Sequence, residues 1–264
     1  TIDDPSAYFK VQLYTGDGNN SRTITFDDTD TDMQPDMVWI KERGSTSSHY
    51  LVDSVRGAGV RLEPDGTSTE STEGLSAFTS DGFTIGTSTN QVNQDGITHV
   101  AWCWKAGSSN TAVSASGTGD GCINACTHRA NTTSLFSIIE YTGRNNEISN
   151  EQHTRVTHGL GTKPDFLIIK DLDGAQNWCT TRGSSNDNHN RLDTTAQANG
   201  SLFTGNQNNS TTTYFQVGNE TMVNYNIRDF VAYVWTSVQG FSKMGGSYEG
   251  NANADGQFVY LGFR

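Results

Sequence analysis

VNQDGITHVAWCW (residues 92–104) and VNYNIRDFVAYVW (residues 223–235) open on the same Val-Asn pair and end in apolar runs that close on tryptophan. Other stretches recur in the same order. Tyr14-Thr15-Gly16 returns as Tyr141-Thr142-Gly143, QPDMVWIK (34–41) as KPDFLIIK (163–170), and DGFTIG (81–86) as TYFQVG (213–218). Four matches in one order, at nearly one offset, read as an internal tandem duplication. The fold problem then reduces to that of one half.

Within the first half, strands are expected near 8–14, 22–26, 37–41, 49–54, 59–63, 75–79, 83–87 and 97–105. Asp-Gly pairs at 65–66, 81–82 and 95–96 punctuate them, because both residues accept the backbone angles of tight turns. Val11, Leu13, Ile24 and Phe26 alternate with polar neighbours, the pattern of a half-buried strand. MVWIK and HVAWCW are apolar on consecutive residues, which suits strands covered on both faces. No stretch holds a helical period over three turns. Short strands with a turn every ~8–12 residues predict an all-β chain of two tandem β-sandwiches.

The expected layout is a first sandwich at 1–106, a Ser/Gly/Thr-rich linker at 107–133 and a second sandwich at 134–247. Residues 248–264 read as a partial third repeat or an edge-covering hairpin, since Tyr248 repeats the first-strand motif of Tyr14 and Tyr141. A linker of that length leaves the relative placement of the sandwiches open.

Composition narrows the function classes. With 12 Phe, 9 Tyr and 5 Trp, the chain is too aromatic to stay unfolded. A net charge of −12 argues against a nucleic-acid partner held by a basic surface. No apolar run approaches the ~18–20 residues of a membrane span, and Thr1 opens a polar stretch, so neither membrane insertion nor a signal peptide is expected. Cys103 and Cys179 sit in apolar, strand-like contexts. Cys122 and Cys126 have a CxxxC spacing with His128 close behind, but a second ligand pair for zinc is missing, and free thiols are the default expectation.

Two sets of residues are candidates for binding. Asp28, Asp30 and Asp32 lie in FDDTDTDMQPD, where alternating carboxylates offer oxygen ligands to calcium. On an EF-hand template starting at Asp28, the glycine position holds Met33 and the bidentate-glutamate position holds Trp39. What is left is a calcium site on a sandwich loop or a solvated acidic turn, and otherwise no cofactor is expected. The second set is His49-Tyr50 leading to Arg56, matched in the other copy by Asn177-Trp178 leading to Arg182. An aromatic beside an amide or imidazole, with an arginine at a turn, can stack on a sugar ring and bond its hydroxyls. The alternative is that Tyr50 and Trp178 point inward and the arginines brace turns. Trp39, Trp102, Trp104 and Trp235 lie in apolar strands and are expected in the core. Neither a GxSxG elbow nor an HExxH motif is present, and the six histidines are scattered, so no enzyme is expected.

The series PSAYFKVQLYTGDGN, QPDMVWIKERGS, HYLVDSVRGAG, LSAFTSDGFTIG and HVAWCWKAG, with the closing VQGFSKMGGSYEGNANADGQFVYLGFR (238–264), resembles a repeat domain of virion structural, tail-fibre-like proteins of tailed marine phages. That resemblance covers nearly the whole chain. It implies a β-sandwich of jelly-roll or lectin type in a component of the phage particle. The component would be assembled in the host cytoplasm, sit on the virion exterior among other virion proteins, and form homo-oligomers, trimers being favoured. The leading expectation is a non-enzymatic tail or head appendage, serving as a fibre-like spacer and as an adhesin for a host-surface glycan. The alternatives are a capsid decoration protein and, from another class, a lectin or glycan-active enzyme.

Overall fold

The computed structural model describes residues 2–86, 91–149, 152–182, 189–195, 210–244 and 255–256. The expected third-repeat segment at 248–264 lies outside them apart from residues 255–256. Strands are numbered in chain order. β1 (Phe9–Thr15), β3 (Met37–Glu42), β4 (Tyr50–Asp53) and β7 (Thr98–Trp104) form a four-stranded sheet in the order β1-β7-β3-β4. A smaller sheet, β2-β6-β5, lies beside it, made of β2 (Thr23–Thr25), β5 (Ala77–Thr79) and β6 (Gly82–Thr84).

The second half follows the same plan. β10 (Phe136–Thr142), β12 (Phe166–Asp171), β13 (Cys179–Arg182) and β16 (Asp229–Trp235) run in the order β10-β16-β12-β13, and β11 (Thr154–Thr157) pairs with β15 (Tyr214–Val217) in the small sheet. Registers agree residue for residue. Phe9↔Trp104 through Thr15↔Thr98 in β1/β7 matches Phe136↔Trp235 through Thr142↔Asp229 in β10/β16, and Met37↔Trp104 in β3/β7 matches Phe166↔Trp235 in β12/β16. The molecule is all-β with antiparallel strand ladders, and among the described residues helix is limited to α1 (Thr221–Asn224) and two 3-10 turns at Pro5–Ala7 and Asn145–Glu147.

Two elements differ from the sequence-based layout. The 107–133 stretch is not a free linker: it contributes β8 (Thr111–Val113) and β9 (Cys126–Asn131), which pair with each other and onto β10. With β14 (His189–Arg191) at the far edge, the second large sheet has seven strands among the described residues. Residues 59–63 are not a full strand and make only the bridges Leu51↔Leu62 and Arg61↔Ser71.

Three hydrophobic cores show how the sheets stack. One lies between the small and large sheets of the first half, with Val38, Ile40, Val52, Phe83 and Ala101. Its counterpart in the second half holds Ile139, Leu167, Ile169, Phe215 and Val234. The third joins the halves: Met37 and Leu51 pack with Phe136, Ile138, Ile168, Val231 and Tyr233. Because neighbouring residues of a strand face opposite sides, β3 and β16 serve two cores at once. Phe230, Ala232 and Val234 of β16 face the second-half core, while Val231, Tyr233 and Trp235 face the first half. The apolar runs of β3 and β16 are thus covered on both faces in a four-layer stack of sheets, whereas HVAWCW in β7 buries His99, Ala101 and Cys103 on one face and leaves Val100, Trp102 and Trp104 half-buried on the other, because β7 lies toward the open edge of its sheet.

Candidate functional site

The motifs shared by the halves are joints of this stack. Tyr14 donates its hydroxyl to the Val92 carbonyl (2.6 Å), and Tyr141 does the same to Val223 (2.5 Å). The next residue of each Val-Asn pair, Asn93 or Asn224, is fully buried and accepts through its Oδ1 from the backbone of Asp17 or Arg144. Glycine is required between them: a Cβ at Gly16 would sit 2.0 Å from the Gln94 carbonyl oxygen, and one at Gly143 would sit 2.1 Å from that of Tyr225. The Pro-Asp step behaves alike. Asp36 donates its N–H to the Trp104 carbonyl and accepts from Ala106 N, while Asp165 donates to Trp235 and accepts from Ser237 N. The lysine of each apolar strand folds back onto the turn that follows. Lys41 donates to the carbonyls of Glu42 and Ser45, and the fully buried Lys170 to those of Asp171 and Gly174.

Of the residues expected to bind a glycan, Tyr50, Trp178 and the Arg56 side chain are brought to the interior instead, and His49 and Asn177 are half-buried. Trp178 is fully buried in the core between the halves, and its Nε1–H is shared by the carbonyls of Glu63 (3.0 Å) and Gly66 (3.1 Å) in the opposite half. Asn177 donates to Asp193 Oδ2, which fixes the strand ahead of it. Tyr50 is buried in the first-half core with the Arg61 guanidinium over its ring. His49 is half-buried, its Nδ1 accepting from Trp39 Nε1 at 2.8 Å, and burial pushes its pKa down. Arg56 is enclosed between carboxylates. Its Nε lies 2.6 Å from Asp53 Oδ2, its Nη1 2.9 Å from Glu70, and its Nη2 3.3 Å from Tyr233 Oη. Arg182 pairs with Phe166 in β13, and its side chain lies outside the described residues.

The strand registers also correct the expected correspondence between the halves. Ile40↔Tyr50 and Ile169↔Cys179 make Cys179 the equivalent of Tyr50, so His49 corresponds to Trp178, while Asp53 and not Arg56 corresponds to Arg182. Matching aromatic to aromatic had displaced the alignment by one residue. Among the described side chains, Tyr50, Arg56 and Trp178 therefore do not form a sugar platform repeated in both halves.

The acidic run does not converge either. Asp28 is held 2.6 Å from Lys10 Nζ and accepts the backbone N–H of Asp30, while Asp30 and Asp32 are exposed. Among the described residues no group of three or more His, Cys, Asp or Glu side chains is placed to hold a metal ion. The four cysteines are buried free thiols, and burial pushes Cys126 up to about 11 and Cys179 up to about 12.

What the sequence did not single out is the polar centre of the junction. Asp53 Oδ2 accepts from Arg56 and, at 2.7 Å, from the Tyr233 hydroxyl of the opposite half. Nearby, Arg129 Nη1 donates to Asp36 Oδ1 (2.6 Å) and Ser54 Oγ (2.8 Å), again across the halves. Burial raises the Glu140 carboxyl, with the charges of Asp229, Asp53 and Glu70 adding to the effect. Beside this junction lies a cleft of about 270 Å³ with Tyr8, Phe9, Trp104, Phe136, Trp235 and Phe241 in its walls. Its centre is pseudo-symmetric. Phe9–Trp104 and Phe136–Trp235 are equivalent pairs with ring centroids 5.0 Å apart, and the two tryptophans meet edge to face at 6.3 Å.

These observations define a class first: an all-β protein of stacked antiparallel sheets whose buried polar groups act as joints, with one aromatic cleft at the seam. The chain belongs to the family described as Domain of unknown function (DUF7483), whose model matches residues 4–264. No curated protein and no solved structure matches it. Among the described residues no helix is long and apolar enough to cross a membrane.

Proposed function

We propose that the chain is a non-enzymatic structural component of a tailed-phage virion, carried on the exterior as part of a tail or head appendage. The observation that carries this reading is the third core. Met37, Leu51, Trp178 and Tyr233 bury the faces between the halves and make one rigid unit of two sandwiches, as a spacer under mechanical stress requires. The sequence resemblance to virion repeat domains supports the same assignment. Its neighbours are other virion proteins, and its working form needs no cofactor. Mass spectrometry of purified particles tests this: the chain is expected in stoichiometric amount, and its absence from particles overturns the reading.

The aromatic cleft favours an added role in host attachment. Trp104 is only partly buried and lines the cleft, whose aromatic walls suit a flat apolar surface such as a sugar face. On a glycan array, Trp104→Ala is expected to abolish any signal while the Asp30→Ala variant keeps it. A signal equally strong in both places the sugar elsewhere.

A further inference from the structure

β1 stands at the edge of its sheet, whereas its equivalent β10 does not. In the second half β9 covers that edge, antiparallel, from Phe136↔Asn131 to Tyr141↔Cys126, and the outward N–H of Thr142 donates to Ala125 O at 3.0 Å. The same sheet position therefore takes an antiparallel strand in one half, and among the described residues none is supplied in the other.

The open edge is also apolar. Along β1, Lys10, Gln12 and Tyr14 point inward, while Val11 is 49% and Leu13 53% exposed. Their partners across the ladder, Trp102 and Val100, are half-buried on the same face. Exposed apolar edge strands invite pairing with another chain, and soluble proteins guard them unless the pairing is used.

The backbone register says which strand fits. Tyr8 O accepts from Lys105 N and Gly16 N donates to Ile97 O, so even-numbered residues of β1 bond to β7. Phe9, Val11, Leu13 and Thr15 then direct their N–H and C=O groups outward. An antiparallel self-pairing centred on Gln12 sets Val11 against Leu13 of a second copy, and Phe9 against its Thr15. Every such pair joins two outward-facing residues, so donors meet acceptors. The carbonyls of Leu13 and Thr15 already accept from Gln12 Nε2 (2.8 Å) and Arg22 Nη1 (2.5 Å), and each keeps a second lone pair. The four aliphatic side chains cover one another. The strand's single charge, Lys10, is neutralised by Asp28, so the pairing brings no like charges together despite the chain's net charge of −12.

We propose that β1 is the seam of a twofold dimer, in which the β1 strands of two copies pair antiparallel about Gln12 and join their sheets into one. A strand that is its own complement closes as a dimer, which differs from the trimer expected by resemblance to phage fibres. The inference does not rest on the virion assignment, and either can fail alone.

Light scattering on the full chain after size-exclusion chromatography is expected to give twice the chain mass. Leu13→Lys is expected to raise the dimer dissociation constant at least tenfold with an unchanged circular dichroism spectrum. A Val11→Cys/Leu13→Cys variant provides a second reading that does not depend on tolerating the lysine. Upon copper-catalysed oxidation it is expected to form a covalent dimer, since facing residues of a hydrogen-bonded pair lie within disulfide reach and the native cysteines are buried. A wild-type chain that is monomeric at all concentrations, or a dimer that the cysteine pair fails to cross-link, overturns the proposal.

Discussion

Tyr233 donates its hydroxyl to Oδ2 of Asp53 across 180 residues of sequence, at 2.7 Å, in the buried seam between the two halves. Asp53 is also the anchor of Arg56, so a single carboxylate holds a turn of the first half and a strand of the second. Removing it leaves the buried Arg56 guanidinium with only the partly exposed Glu70 as counter-charge. Asp53→Ala is therefore expected to destabilise the protein by about 3–5 kcal/mol, and Tyr233→Phe by about 1–3 kcal/mol. Urea denaturation followed by tryptophan fluorescence measures both, and equal, small losses would show that the seam does not depend on this carboxylate.

Gly16 and Gly143 are predicted to be equally intolerant of a side chain. At each, a Cβ would lie about 2 Å from a backbone carbonyl oxygen, a neighbour that cannot swing aside. Gly16→Ala and Gly143→Ala should each cost at least ~1–3 kcal/mol, while Gly44→Ala, where a Cβ meets nothing within 4 Å, should lie within about 0.5 kcal/mol of wild type. Comparable unfolding midpoints for all three would contradict the account of the Tyr-Thr-Gly motif.

Stability is predicted to fall on the acid side through His158. Burial pushes its pKa down to about 4, and its neutral ring is fixed by Nδ1 accepting from Leu160 N and Nε2 bonding the Thr211 carbonyl. With the folded pKa below the unfolded one, the unfolded chain takes up the proton first. The stabilisation is whole above about pH 6.5 and is lost as pH falls toward 4, by on the order of 3 kcal/mol. Burial lowers His99 and His128 in the same direction. Denaturation midpoints measured from pH 8 to pH 4 check this, with His158→Asn expected to flatten the profile.

Calcium is predicted to leave the protein unchanged. Asp28 is committed to Lys10, and the neighbouring aspartates do not gather around a common point. Adding millimolar calcium or a chelator should shift the melting temperature by less than about 1 °C, where a site filled to a hundred times its dissociation constant would add about 2.7 kcal/mol. A clear rise with calcium would restore the acidic run as a metal site.

Much of the fold was legible from two kinds of pattern. Consecutive apolar residues in MVWIK marked a strand covered on both faces, while the same pattern in HVAWCW belongs to a strand with only one fully buried face, and the repeated Tyr-Thr-Gly, Pro-Asp and Val-Asn steps marked equivalent places in each half. What covers the second face was not legible, because Met37, Trp178 and Tyr233 carry no sign of which distant residues they meet. The strands in 107–133 were hidden for a related reason. Thr111–Val113 and Cys126–Asn131 are short and polar, and pairing onto β10 organises them more than any periodicity of their own. For Trp178 and Arg56 it is the inward alternative that the structure bears out, and the sequence left both readings open because an aromatic or an arginine next to a turn looks alike whether it faces a ligand or the other half of the same molecule.

We propose that the halves form one rigid structural unit of a phage particle. A cryo-EM map of purified virions tests it most directly. The predicted result is exterior density into which the four-layer stack fits as a single body, with Trp178 seated on the 63–66 turn. Particles without such density, or with the two halves separated, would contradict it.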